Sequence, residues 1–195
     1  EFGEKLPPEE TALRAAVDGL RLQHMRYLVA DALELVGVVD PAVVERASSF
    51  WWAHFFRDDY IRHDVPSPGA VSYAQACYAA GANLVYLTGR DLPGMLGGTV
   101  KKLRDERFPI AVAGAQVMLK PHAKMGDEAF KRTALPSITR LGTPVAFFDN
   151  EPGNCNAAAE LLPGADVVWL DTQCVPNPPP LLPGITMVRH FDGWA

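Results

Sequence analysis

The sequence predicts an α/β protein: a doubly wound, mostly parallel sheet, preceded by a helical segment. Three observations carry that expectation. Short β-rich apolar runs alternate with helix-length segments in the last two thirds of the chain. Each run ends in polar residues, and no stretch before residue 65 has strand character. Strands separated by helices of about ten to fifteen residues need crossover connections, which make neighbouring strands parallel.

The elements follow in order. Pro8-Glu9-Glu10 opens a segment with Leu13, Val17, Leu20 and His24 at three- and four-residue spacing, the stripe of an amphipathic helix. Met25 to Leu35 is a second helix, stopped at Gly37. Asp40-Pro41 is an N-cap with proline at the first helical position, and the third helix is expected to run on into SFWWAHFFRDDYI. There Trp51, Trp52, Phe55 and Phe56 form a broad apolar face, expected to pack in a core, or between the helical segment and the α/β core, rather than to stack on substrate. Pro68-Gly69 opens a helix from Ala70 to Ala79. NLVYLT is a strand ending at Thr88-Gly89-Arg90-Asp91, and Leu92 to Arg104 is a helix. Gln116 to Leu119 is a strand ending at Lys120, and Asp127 to Leu141 is a helix blemished by Pro136. Val145 to Phe148, Ala157 to Leu162 and Val167 to Leu170 are strand, helix and strand, the last ending at Asp171. PNPPPLLPG is a stiff, extended tail. The expected organisation is a helical subdomain over 1–64 and an α/β core over 65–195.

The 195 residues are 48% hydrophobic and 21% charged, ordinary globular composition for one domain with a modest insertion. A net charge of −5 without basic runs argues against nucleic acid as a partner. No apolar run approaches the roughly 18–20 residues of a membrane span. Cys77, Cys155 and Cys174 lack metal or disulfide spacing and read as reduced thiols of a cytoplasmic protein. Cys155 has no electropositive neighbourhood to make it a catalytic thiol.

In open parallel sheets ligands bind at the carboxyl ends of the strands. The residues there are Thr88-Gly89-Arg90-Asp91, Lys120, Asp149-Asn150-Glu151 and Asp171. A hydroxyl and a lysine suit a phosphoryl group, and a carboxylate beside it suits Mg²⁺, which commonly sits on one or two carboxylates plus substrate phosphate. Arg90 and Asp91 either pair with each other or meet substrate. The acids clustered at Asp149 predict that Asp149→Asn stabilises the metal-free protein slightly, by relieving repulsion.

VYLTGRD, then FKR, then VAFFDNEPGN resemble motifs II, III and IV of the haloacid dehalogenase superfamily, mostly Mg²⁺-dependent phosphatases. The resemblance spans roughly residues 66 to 175. It implies that Thr88 hydrogen-bonds the transferring phosphoryl oxygen, that a lysine neutralises the phosphate, and that Asp149 helps to hold Mg²⁺. Lys131, in the helix feeding the Asp149 strand, is preferred as that lysine; Lys120, directly after the preceding strand, remains the alternative. Gly89, Arg90 and Lys120 are the expected substrate-binding residues. The family's first motif, a strand followed by DxDxT or DxDxV with a nucleophilic aspartate, does not occur; Leu28 to Leu33 offers only Asp31. That strand is central in the family, so without it two strand edges face an unfilled gap. The chain, which starts at Glu1 without methionine, is therefore expected to be an inactive fragment. The intact protein would be a phosphohydrolase of small phosphorylated substrates, acting through an aspartyl-phosphate, with residues 1–64 as its cap. The rival expectation is a non-catalytic α/β module kept for binding or partner interaction.

Overall fold

The computed structural model describes residues 1–192, Leu22 by its backbone alone, so residues 193–195 of the expected core lie outside the described residues. The chain divides into two compact units, Glu1–Phe55 and Phe56–Ala195.

The first unit is helical: α1 (Thr11–Asp18), α2 (Val29–Glu34) and α3 (Pro41–Phe55), with single 3-10 turns at Gly3–Lys5 and Leu22–His24. Asp40 Oδ1 accepts the Ala42 and Val43 amides at 2.8 and 3.3 Å, so the cap-plus-proline signal does start α3. Leu33, Val38 and Ala47 form its core, joined by the Leu13, Val17 and Leu20 stripe and by Phe2. The aromatic run is only partly covered. Trp51 stacks on Phe55 within the helix, at 4.3 Å between ring centroids, yet Trp52 is 64% and Phe55 46% exposed. Residues four apart meet along one helix regardless of whether that face is covered. The first expected helix is also cut short, since Gly19 ends α1 and Leu20 is followed by a 3-10 turn.

The second unit is α/β. Its elements are α4 (Asp58–Ile61), α5 (Ala70–Ala79), β1 (Leu84–Asp91), α6 (Leu92–Asp105), β2 (Ala115–Lys120), α7 (Asp127–Ile138), β3 (Ala146–Asp149), α8 (Pro152–Leu161), β4 (Asp166–Leu170) and β5 (Thr186–Val188). Every strand pairing is parallel. β5, just beyond the extended PNPPPLLPG tail and not expected from the sequence, adds itself to β4. α4 packs on α6.

The strands do not make the single sheet that the alternation predicts. β1 pairs only with β2, and β3-β4-β5 form a separate sheet. β1 and β3 each spend one edge on their partner, and among the described residues no strand joins the two remaining edges. A parallel strand inside a filled sheet is covered on both faces; here every β1 residue before Asp91 stays half-buried and Val145 is 68% exposed. What unites the sheets is the helix layer. Leu135 of α7 and Cys155, Ala157 and Ala158 of α8 form a fully buried core that receives Leu87 from β1, Phe147 from β3 and Trp169 from β4. Strand side chains alternate faces, so Phe148 points the other way, against Tyr73 of α5. No helix among the described residues is long and apolar enough to cross a membrane.

Leu135 is 0% exposed at the centre of the shared core. Leu135→Ala should cost about 2–5 kcal/mol in urea unfolding. A loss below about 1 kcal/mol would mean that the helix layer is not what binds the sheets.

Candidate functional site at the carboxyl ends of the strands

The loop after β3 is built by Asp149. Its Oδ1 accepts the Glu151 amide at 2.9 Å and the Asn154 side-chain amide at 3.0 Å; its Oδ2 meets Lys131 Nζ at 2.5 Å. Aspartate bonding the backbone two residues on makes a tight turn, and Pro152 then starts α8 at the position where its missing N–H is harmless. The Lys131 and Asp149 side chains are only 9% and 6% exposed. Around them, Asn150 donates to the Gln173 carbonyl at 2.6 Å, Trp169 Nε1 to the Asn150 carbonyl at 2.9 Å, and the Val175 amide to Glu151 Oε2 at 3.1 Å. The loop is therefore pinned from β4 and from the segment beyond it.

The end of the other sheet is shaped differently. Thr88 pairs with Leu119 but Asp91 pairs with Lys120, so Gly89 and Arg90 bulge out of β1. Bulges of this kind bend a strand and re-aim its side chains. Thr88 Oγ1 accepts the Arg90 amide at 3.3 Å. Asp91 returns to the ladder and caps α6 through the Gly94 amide at 3.0 Å. Arg90 does not pair with Asp91: its guanidinium is ion-paired with Asp64 and donates to Thr99 Oγ1 at 3.4 Å. The capping role occupies Asp91, leaving Arg90 to reach the loop before α5.

Lys120, at the end of β2, is buried and meets Asp127 Oδ1 at 2.7 Å. Gly89 lies against the Asp127 carboxylate, which would have to shift if a Cβ were added there. Asp127 and Lys131 are four residues apart on α7, one above the other on one helix face. The first turn of α7 thus runs between the two strand ends. Gly89, Lys120 and Asp127 gather at one, and Lys131, Asp149, Glu151 and Asn154 at the other. Asp127, Asn154 and Asp64 were not singled out by sequence. The i, i+4 relation of Asp127 and Lys131 was readable, whereas the Asn154 and Asp64 partnerships exist only once the chain has folded.

Burial pushes the Glu151 carboxyl above its usual range, with Asp149 and Asp127 adding to the shift and the Val175 amide and Lys131 opposing it. Burial, then Asp149, pushes the Cys155 thiol up to about 12, so at neutral pH it is protonated and inert. No group of three or more histidine, cysteine, aspartate or glutamate residues placed to hold a metal occurs among the described residues. A carboxylate offers about four acceptor positions. Three donors already hold Asp149, and it fits a cation only as a single anionic ligand beside other oxygens.

No family model, curated protein or solved structure matches this chain. What the site does rests on its own geometry.

The Lys131 pairing reverses the stability expected for Asp149→Asn. Removing the charge leaves a buried lysine without its counter-ion, so the variant should lose about 3 kcal/mol in chemical denaturation. Lys131→Met combined with Asp149→Asn should recover part of the loss, since no uncompensated charge remains. A single variant as stable as the parent would show that repulsion among the acids dominates.

Glu151 sets a pH dependence of the opposite sense to most carboxylates. Its folded pKa is raised, so its ionisation opposes folding as pH rises from the unfolded value of about 4.3 through the folded one. Glu151→Gln keeps an acceptor for the Val175 amide and removes that penalty. Its melting temperature relative to the parent should be higher at pH 7 than at pH 4; an advantage independent of pH would show that Glu151 is unshifted.

Proposed function

We propose that the carboxyl ends of the strands bind the phosphoryl group of a small phosphorylated molecule, and that the protein is a Mg²⁺-dependent phosphohydrolase of haloacid dehalogenase type. The observation that carries this reading is two buried lysines, Lys120 and Lys131, brought by parallel strands and one helix turn to the strand ends beside Thr88 and the Asp149 carboxylate. Burying two ammonium groups is costly unless they are paired, and both positions suit an anionic substrate as a further partner. Lys131 neutralises the transferring group. The Thr88 hydroxyl donates to one of its oxygens, and Gly89 lets the backbone of the bulge come close. Asp149, through its remaining acceptor position, would hold Mg²⁺, which supplies positive charge to the phosphoryl oxygens when bound. Arg90, ion-paired with Asp64, positions the bulge.

The nucleophile of this reading is an aspartate on a strand between β1 and β3, for which residues 1–195 contain no DxDxT or DxDxV sequence. The unjoined edges of β1 and β3 support the reading, since that is where such a strand would pair. The helical unit fills the role of a cap in this scheme.

A second reading, a binding module without turnover, is favoured by one observation: Asp149 is already held by Lys131, Asn154 and the Glu151 amide, as in a purely structural ion pair. The protein expressed from its complete gene separates the two. An aryl phosphate should be hydrolysed only with Mg²⁺, turnover should stop on chelation, and Lys131→Met or Thr88→Ala should lower kcat about 10²–10³-fold. No hydrolysis, with inorganic phosphate still raising the melting temperature of the parent but not of Lys131→Met, decides for the binding module.

A further inference from the structure

The two sheets share no strand hydrogen bond, yet one short segment after β5 touches both β3 and α5, the helix that packs on β1. Phe191 sets its ring 5.2 Å from Phe148 of β3 and 5.4 Å from Tyr73 of α5, and those two rings are themselves 5.4 Å apart. Three aromatic rings thus close a triangle between β3, the segment after β5 and α5, in tilted and edge-on arrangements that suit the ring quadrupoles. The Phe191 amide donates to the Pro68 carbonyl at 2.8 Å, just before α5. Asp192 and the Phe191 carbonyl carbon lie against Gly69, where a Cβ would stand 2.6 Å from both backbones.

β5 ends at Val188, and β3 lies two strands away, across β4. The chain bends at Arg189, and the Phe191 side chain completes the reach to β3. The start of the segment is anchored: Arg189 is 3.5 Å from Asp171, whose amide donates to the Val188 carbonyl at 2.7 Å.

We propose that residues 189–192 are a clasp, which holds the seam between the sheets shut by tying β3 to the start of α5. When the clasp leaves, β3 and the α5 start lose their shared partner together, and the edge of β3 next to Asp149 becomes mobile. The device is independent of whether the site hydrolyses phosphate. Its position beside Phe148, one residue before Asp149, makes it a control on that site's rigidity.

Hydrogen exchange read by mass spectrometry tests this on the 195-residue chain, using two variants that release the clasp from opposite sides. Phe191→Ala removes the ring, and Gly69→Ala drives a Cβ into the backbone of residues 191–192. Gly81→Ala is the control: its φ is +91° against +75° at Gly69, but nothing lies within 4 Å of a Cβ there. Both clasp variants should speed exchange roughly tenfold at residues 69–74 and 146–149 together, the size expected for losing two aromatic pairs. β2 and α6 should keep the parent rate in both. The control should leave residues 146–149 unchanged. Unaltered exchange at 146–149 in Phe191→Ala, an even rise across β2 and α6, or the same pattern in Gly81→Ala each overturns the clasp.

Discussion

The ion pair between Lys131 and Asp149 is the constraint from which the second unit's arrangement follows. Two charged groups less than a tenth exposed are costly to desolvate, and their attraction offsets that cost only when the remaining donors and acceptors are also satisfied. Asn154 and the Glu151 amide complete the carboxylate. That requirement sets the turn after β3, the start of α8 and the height of α7 against the strand. Lys131 leads back along α7 to Asp127, and Asp127 leads to Lys120 and the Gly89 bulge. One chain of charge and close approach connects the ends of two sheets that share no backbone bond.

Packing and polarity divide the work between the two faces. On the α7–α8 face, small residues at Ala157 and Ala158 let α8 settle deeply beside Leu135, and both sheets send side chains into the same core. On the α5 face rings tie β3 to the helix that packs on β1, with Tyr73, Phe148 and Phe191 meeting together. Aliphatic burial is non-directional and holds the layer together; ring stacking is geometrically particular and holds a single junction. The acids at the strand ends sit above both, where burial raises the Glu151 pKa and the neighbouring Asp149 and Asp127 add to the shift.

The sequence by itself determined the kinds of element and where the polar strand ends fall. Alternating apolar runs mark β1 to β4, Asp40-Pro41 marks the start of α3, and the ends of those runs mark Thr88, Lys120 and Asp149 as residues of the strand ends. These are local properties, written in side-chain periodicity and in cap and turn chemistry, which a single segment carries on its own. The tertiary structure alone decided the rest. Arg90 chose Asp64 over its neighbour because the bulge and the α6 cap had already claimed Asp91. β5 formed beyond the proline-rich stretch, where an open edge of β4 took it up. The strands divided into two sheets, and the aromatic face of α3 stayed partly exposed, because pairing and burial depend on which surfaces arrive opposite one another. Partnerships between residues far apart in sequence have no local signature, so the sign of the Asp149 charge effect could be read only once Lys131 stood 2.5 Å away.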